Sequence, residues 1–176
     1  MRVLLEHRAD VDAKTASGGT ALYRAAENGH ETAVQVLLEH RADIDAKNEY
    51  GETALYRAAE NGHEATVRVL LEHRADIDAK ATYGETALHR AAKNGHEATV
   101  QVLLERRADI DAKATYGETA LHWAAESGDE ATVQVLLEHQ ADVDAKDKDG
   151  GTALHRTAGK GHDAVVRLLE PRTKLR

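Results

Sequence analysis

Histidine is the residue type that most readily suggests chemistry in this 176-residue chain, which has 11 histidines and no cysteine. His30-Glu-Thr-Ala-Val34 and His63-Glu-Ala-Thr-Val67 begin like the helical zinc-protease pattern, in which two histidines one turn apart bind the metal. The second histidine is valine in both segments, and a single imidazole does not fix a zinc ion. We therefore expect no metal site and no cofactor.

Paired aspartates are the second candidate for chemistry. Asp76 and Asp78, and likewise Asp109 and Asp111, alternate as at the start of a calcium loop, but the remaining ligands and the terminal glutamate are missing. Such pairs leave room for weak surface ion binding only. A catalytic group should occur once, whereas these pairs return every 33 residues, and no phosphate-binding loop or nucleophile elbow is present. We therefore expect no enzyme.

An internal repeat positions all of these residues. The tetrapeptide Gly/Glu-Thr-Ala-Leu recurs with its threonine at a constant step of 33 residues, at Thr20, Thr53, Thr86, Thr119 and Thr152. This step divides the chain into a partial repeat 1–14, full repeats 15–47, 48–80, 81–113 and 114–146, and a C-terminal capping repeat 147–176. Repeats 48–80 and 81–113 are identical at 27 of 33 positions. The whole chain is therefore expected to form one array.

Within one repeat the sequence predicts two short helices and a loop. Thr53 is a suitable N-cap for a first helix that runs to about Asn61, and Gly62 then ends it. A second helix is predicted over 64–73, with an apolar stripe on one face. The segment 75–85 has a single apolar anchor, Ile77, and a turn that closes at Gly84, and it is predicted to be an extended finger. Helices this short are marginal alone, so we expect them to stack on neighbouring repeats.

These residues resemble the ankyrin repeat. The matching segments are Gly84-Glu-Thr-Ala-Leu-His89, Ala91-Ala92, Gly95-His96, Leu103-Leu104 and Ala108-Asp-Ile-Asp-Ala112. The resemblance implies an all-α solenoid of stacked helix-turn-helix units with extended finger loops. It also implies that His89, His122 and His155 lie beside the threonine hydroxyl and connect neighbouring loops.

The chain departs from the family pattern before each Ala-Asp pair. The family has glycine there, and this chain has Arg8, Arg41, Arg74, Arg107 or Gln140. If that position keeps a left-handed backbone, each substitution costs roughly 1 kcal/mol. The proline after the repeated threonine is also replaced, by alanine in every repeat.

Charge and hydropathy restrict the partners. The formal net charge is −8, which argues against binding to nucleic acid phosphates or to an anionic membrane surface. No apolar run is long enough for a membrane span, and we expect a soluble, intracellular, cytoplasmic protein. The partial repeat suggests exposed apolar surface near Leu4 and Leu22, so we expect a monomer with weak end-to-end self-association.

The resemblance marks the finger tips and the exposed side of the first helix as a concave recognition face. One position of the first helix holds arginine in every repeat except one, in which it is Trp123. Three finger tips carry a tyrosine at the same position of the repeat. Aromatic residues and arginine are enriched at binding hot spots. The predicted partner-binding residues are Trp123, Tyr116, Tyr83, Tyr50, Arg57, Arg90, Arg156, Glu85 and Glu118. Trp123 is expected to lie close to Tyr116, as an aromatic pair, with Arg90 and Arg156 on either side.

A structural role for the same residues stays open. The tyrosines could pack across neighbouring fingers, and the arginines could pair with Glu27, Glu60 or Glu126 one turn on. Two functions follow. The first is a non-catalytic module that binds another protein through the concave face. The second is a structural spacer or sensor array within a larger receptor-like protein, expanded by repeat duplication.

Overall fold

The computed structural model describes residues 10–173, with side chains to 170. This part of the chain contains ten helices in five pairs. They are α1 (Ala21–Glu27), α2 (Glu31–Glu39), α3 (Ala54–Glu60), α4 (Glu64–Glu72), α5 (Ala87–Lys93), α6 (Glu97–Glu105), α7 (Ala120–Ser127), α8 (Glu130–Glu138), α9 (Ala153–Lys160) and α10 (Asp163–Thr173).

The repeated threonine starts the first helix of each pair. The Thr53 hydroxyl accepts a hydrogen bond from the amide of Tyr56 at 3.2 Å, which satisfies one of the free amides of the first turn. Asn61 ends α3, and Gly62 follows with φ of 70°, a left-handed conformation that glycine adopts without steric cost. The predicted limits of both helices are thus confirmed to within about one residue.

The helices form two layers. The first helices α1, α3, α5, α7 and α9 pack side by side, and the second helices α2, α4, α6, α8 and α10 pack behind them. Alanine and leucine fill the space between layers, and Leu55, Ala58 and Leu70 are fully or almost fully buried. Because small side chains let the helices approach closely, a core with few aromatics suffices. The predicted all-α solenoid is confirmed.

Hydrogen bonds connect each loop between helix pairs to the next loop along the array. Thr82 donates its amide to the Tyr50 carbonyl at 2.9 Å, and Lys47 Nζ donates to the Lys80 carbonyl at 3.0 Å. The aspartates take part in these hydrogen bonds, because Asp45 Oδ1 accepts from the amide of Asp76 at 2.9 Å. The paired carboxylates therefore hold backbone amides. In the described residues no group of three histidine, aspartate or glutamate side chains is arranged to hold a metal ion.

The backbone is left-handed at four residues that stand where the family has glycine. The φ angles are 62° at Arg41, 68° at Arg74, 68° at Arg107 and 66° at Gln140. Side chains rarely adopt this conformation, so the predicted backbone strain is present in each of these repeats.

The expected apolar surface at the start of the array is not found at Leu22. This side chain is only 1% exposed, because it packs in the core between the first helices. The prediction of exposure at Leu22 was wrong, and Leu4 lies outside the described residues. Between residues 10 and 173 no helix is both long and apolar enough to cross a bilayer.

Candidate functional site

Ion pairs connect the first helices of successive pairs. Arg57 of α3 pairs with Glu27 of α1, and Arg90 of α5 lies 3.7 Å from Glu60 of α3. Arg156 of α9 repeats the pattern with Glu126 of α7 at 3.0 Å. Arginine–glutamate pairs thus join repeats at three of the four junctions between described helix pairs. The expected pairing one turn on within a helix is found for Arg24 with Glu27 and for Arg57 with Glu60.

A second cross-repeat contact runs from the third residue of the first helix to the next finger. The phenol of Tyr23 donates to Glu52 Oε2 at 2.8 Å, and the phenol of Tyr56 donates to Glu85 Oε2 at 2.9 Å. His89 occupies the equivalent position in α5, and its Nε2 lies 3.1 Å from the Glu118 carbonyl oxygen. Its other nitrogen, Nδ1, lies 2.9 Å from the Thr86 hydroxyl. The predicted link between loops is confirmed for His89 and for His122, whose Nε2 lies 3.1 Å from the Gly151 carbonyl oxygen, whereas the contacts of His155 are with Thr152 of its own repeat.

The junction between α5/α6 and α7/α8, called here the third junction, breaks the ion-pair pattern. Lys93 replaces the glutamate and Trp123 replaces the arginine. Lys93 Nζ lies 4.8 Å from the centroid of the Trp123 ring, and Arg90 Cζ lies 5.5 Å from it. The His89 ring meets the indole edge to face at 5.7 Å. Cation–π contacts thus replace the ion pair.

The same junction loses two further cross-repeat hydrogen bonds. At the preceding junction Asn94 Nδ2 and His96 Nε2 both contact the Glu60 carbonyl oxygen, at 2.7 and 3.0 Å. Their equivalents in the next repeat are Ser127 and Asp129. Ser127 donates to carbonyls of its own helix, and Asp129 caps α8 by accepting from Thr132 N at 2.7 Å. Fewer side chains therefore bridge the third junction.

A cavity of about 320 Å³ lies at this junction. Its lining residues are Lys93, Asn94, Glu118, Trp123, Glu126, Ser127 and Arg156. Glu118 is buried, and its Oε2 atom has no hydrogen-bond partner in the described part of the protein. Its Oε1 atom lies 3.5 Å from Arg156 Nη2. Arg156 makes shorter contacts with Asp147 Oδ2, at 2.8 Å, and with Glu126. The carboxylate of Glu118 is thus poorly satisfied.

Several ionisable groups have shifted pKa values. Burial lowers the pKa of His89 and of His122 below the ordinary histidine value, because the charged imidazolium loses its hydration. The hydrogen bond from Arg156 lowers the pKa of Asp147, and those from Arg57 and Arg24 lower the pKa of Glu27. His89, His122 and Glu27 join repeats, whereas Asp147 pairs with Arg156 within the last repeat.

The predicted binding residues fall into three groups. The finger-tip tyrosines are exposed, Tyr50 by 59%, Tyr83 by 62% and Tyr116 by 63%, so packing across fingers does not account for them. The arginines are half-buried and already paired. The partly exposed Trp123 meets Arg90 and shares the cavity with Arg156 and Glu118, as expected.

The expected aromatic pair does not form. Trp123 makes its ring contact with His89, and within residues 10–170 no ring contact joins it to Tyr116. The prediction of a Trp123–Tyr116 pair was wrong, because the finger tip projects into solvent while the indole lies back against α5. Glu85 is buried and hydrogen-bonded to Tyr56 and Arg90. It therefore belongs to the joint between repeats.

Sequence reasoning missed Lys93, Asn94, Glu126 and Ser127 as members of the cavity. A signal was present, because Lys93 is one of the six positions at which repeats 48–80 and 81–113 differ. Its meaning depends on Trp123, which stands 30 residues later in the next repeat.

Comparison with known families now identifies the class of protein. A model of ankyrin repeats in three copies matches residues 43–114 and 111–174, and a model of ankyrin repeats in many copies matches residues 4–58. The chain belongs to the ankyrin repeat family. A search of the curated proteins finds no significant match. Ankyrin repeats are in general modules of protein–protein interaction.

Proposed function

We propose that this array is a non-catalytic module that binds another protein through its concave face, formed by the finger tips and the exposed side of the first helices. One observation supports this most directly. Three tyrosines at the same position of successive fingers are each about three-fifths exposed. Large aromatic side chains left in solvent in a regular row are typical of a recognition surface.

The row of tyrosines lies on a rigid support. The carbonyl groups of Tyr50, Tyr83 and Tyr116 each accept a backbone hydrogen bond of 2.9 Å from the next finger. The backbone beneath the side chains is therefore held in place before a partner arrives. Pre-organisation of this kind reduces the entropy lost on binding.

The charge of the face favours a partner of mixed character. Arg57 and Arg90 alternate along the first helices with Glu27 and Glu60, which pair with them. A partner that offers an apolar anchor surrounded by charges of both signs suits this surface better than a uniformly charged one. We therefore propose a protein partner, with neither nucleic acid nor membrane as the target; the intracellular location stays a prediction.

A binder selection tests the proposal. A displayed library of protein fragments is selected on the wild-type array, and the enriched binders are measured against the triple variant Tyr50→Ser/Tyr83→Ser/Tyr116→Ser. The control is Glu97→Ala at the start of α6, on the outer face of a second helix. We expect the triple variant to lose the binders and Glu97→Ala to retain them. Binders that depend on Glu97 and ignore the tyrosines would contradict the proposal.

A spacer or sensor array is the second candidate, favoured by the 27 identical positions out of 33 in two adjacent repeats, which suggest duplication. A spacer needs no conserved recognition chemistry on the concave face. Selected binders would then be distributed over both faces, or would be absent.

A further inference from the structure

We propose that the cavity at the third junction receives an arginine side chain of the partner, which donates to Glu118 and stacks on Trp123. The inference rests on the proposed function and names the chemistry of one subsite within it. It starts from a comparison between two equivalent glutamates in successive fingers, Glu85 and Glu118.

Glu85 is satisfied by two donors within the array. Its Oε2 accepts from the Tyr56 phenol at 2.9 Å and from Arg90 Nη2 at 3.2 Å. Both donors are replaced around Glu118. His89 stands in place of the tyrosine and contacts the carbonyl of Glu118. Trp123 stands in place of the arginine. The carboxylate of Glu118 thus lacks the guanidinium and the phenol that its counterpart has.

The remaining cation does not compensate. Arg156 is shared among Asp147, Glu126 and Glu118, and Glu118 is the most distant of the three at 3.5 Å. Lys160 contributes at Glu126, at 3.5 Å. Three carboxylates therefore face two cations. A buried carboxylate with an unpaired oxygen is costly, and a charged donor that reaches it gains a strong hydrogen bond.

The Trp123 ring already attracts cations. The ammonium of Lys93 and the guanidinium of Arg90 both lie within 5.5 Å of its centroid. Lys93 is exposed and has no ion pair in the described residues, so it is free to move aside. A guanidinium is planar, which lets it stack on an indole and donate to a carboxylate at the same time. These properties favour arginine over lysine.

The shape of the site agrees with this occupant. The volume of about 320 Å³ is near the lower end for ligand pockets and accommodates a long side chain together with part of its backbone. Oε2 of Glu118 is shielded from solvent, so the incoming guanidinium would donate to Oε1, which Arg156 contacts only at 3.5 Å.

The test uses small probes and the single tryptophan of the chain. Acetyl-arginine amide and its uncharged analogue acetyl-citrulline amide are titrated into the whole protein. The indole N–H signal of Trp123 is followed by NMR. We expect a saturable shift with the arginine probe, and binding of the citrulline probe weaker by about tenfold or more.

Variants then locate the interaction. Glu118→Gln should weaken binding of the arginine probe about tenfold. Glu52→Gln, the matched change two repeats earlier, should leave it unchanged, because Glu52 contacts Tyr23 and Asn48 away from Trp123. Lys93→Ala should strengthen it by removing the competing ammonium. For the double variant Lys93→Glu/Trp123→Arg, which supplies an internal guanidinium, calorimetry should detect no binding. Melting curves check that each variant is folded.

Three results would overturn the inference: no saturable shift with the arginine probe, equal binding of the citrulline probe, or unchanged binding by Glu118→Gln. Tighter binding of acetyl-glutamate amide would also overturn it and would point to Lys93 as the recognised group. The probes need no partner protein. Failure here therefore leaves the binder selection on the tyrosine face unaffected, and failure of that selection leaves the cavity measurement valid.

Discussion

Lys93 lies with its ammonium 4.8 Å from the ring centroid of Trp123, at the place where the neighbouring junctions have an arginine and a glutamate. The two substitutions are thus a matched pair. Each alone would disturb the junction, because arginine opposite Lys93 would place two cations together and tryptophan opposite glutamate would lose the cation–π contact.

This pairing predicts a measurable coupling. The double variant Lys93→Glu/Trp123→Arg copies the pair Glu60 and Arg90, so it should be more stable than the sum of the two single changes predicts. We expect a coupling energy of about 0.5–1 kcal/mol from a double-mutant cycle in urea. Additive effects of the two changes would show that Lys93 and Trp123 do not interact in solution.

Backbone strain at the residue before each Ala-Asp pair predicts that glycine at that position stabilises the protein. Arg74 and Arg107 have φ of 68°, and glycine tolerates this conformation. Arg74→Gly and Arg107→Gly should each raise the free energy of unfolding by up to about 1 kcal/mol. Arg74→Ala is the matched control, since it removes the same side chain but keeps Cβ. Chemical denaturation that gives equal stability for Arg74→Gly and Arg74→Ala would rule out strain as the cause.

Buried histidines predict a loss of stability in mild acid. His89 and His122 have pKa values below the ordinary value because of burial, so the unfolded chain binds more protons than the folded one as the pH falls below about 6.5. The free energy of unfolding should be fully present above that pH and decrease below it. Denaturation curves from about pH 7.5 to about pH 5.5 measure this effect while ordinary carboxylates stay ionised.

His89→Tyr separates one part of this pH dependence. The substitution copies Tyr56, whose phenol donates to Glu85, and should supply Glu118 Oε2 with its missing donor. We expect a shallower pH dependence and a gain of about 1 kcal/mol at neutral pH. An unchanged slope would mean that His89 does not contribute to the acid effect, and an unchanged stability would mean that the phenol does not reach Glu118.

Trp123 itself should matter for binding more than for folding. It is partly exposed, and its ring contacts the side chains of Arg90 and Lys93 and the edge of the buried His89 ring. Trp123→Ala should therefore weaken a concave-face partner by about 2 kcal/mol and leave a cooperative unfolding transition. Glu97→Ala should change neither property. Loss of the folded state on Trp123→Ala would show that the ring belongs to the core.

The sequence by itself determined the repeat and the limits of the helices, and it marked the arginines as positions where a left-handed backbone was possible. Each of these depends on local rules that act within one repeat. Thr53 caps the helix that follows it, Gly62 ends that helix, and Arg74 stands where the turn requires a positive φ. A pattern repeated five times lets such rules be recognised without any knowledge of how repeats stack.

Only the tertiary structure decided which side chains are left available for a partner. A side chain is unavailable when it is bound within the array, and such contacts join residues about 30 positions apart. Tyr56 donates to Glu85, and His96 contacts the Glu60 carbonyl oxygen. Such contacts depend on the offset and direction of neighbouring helices, which a list of equivalent positions does not contain. The unsatisfied carboxylate of Glu118 became visible only once its neighbours His89 and Trp123 were placed beside it.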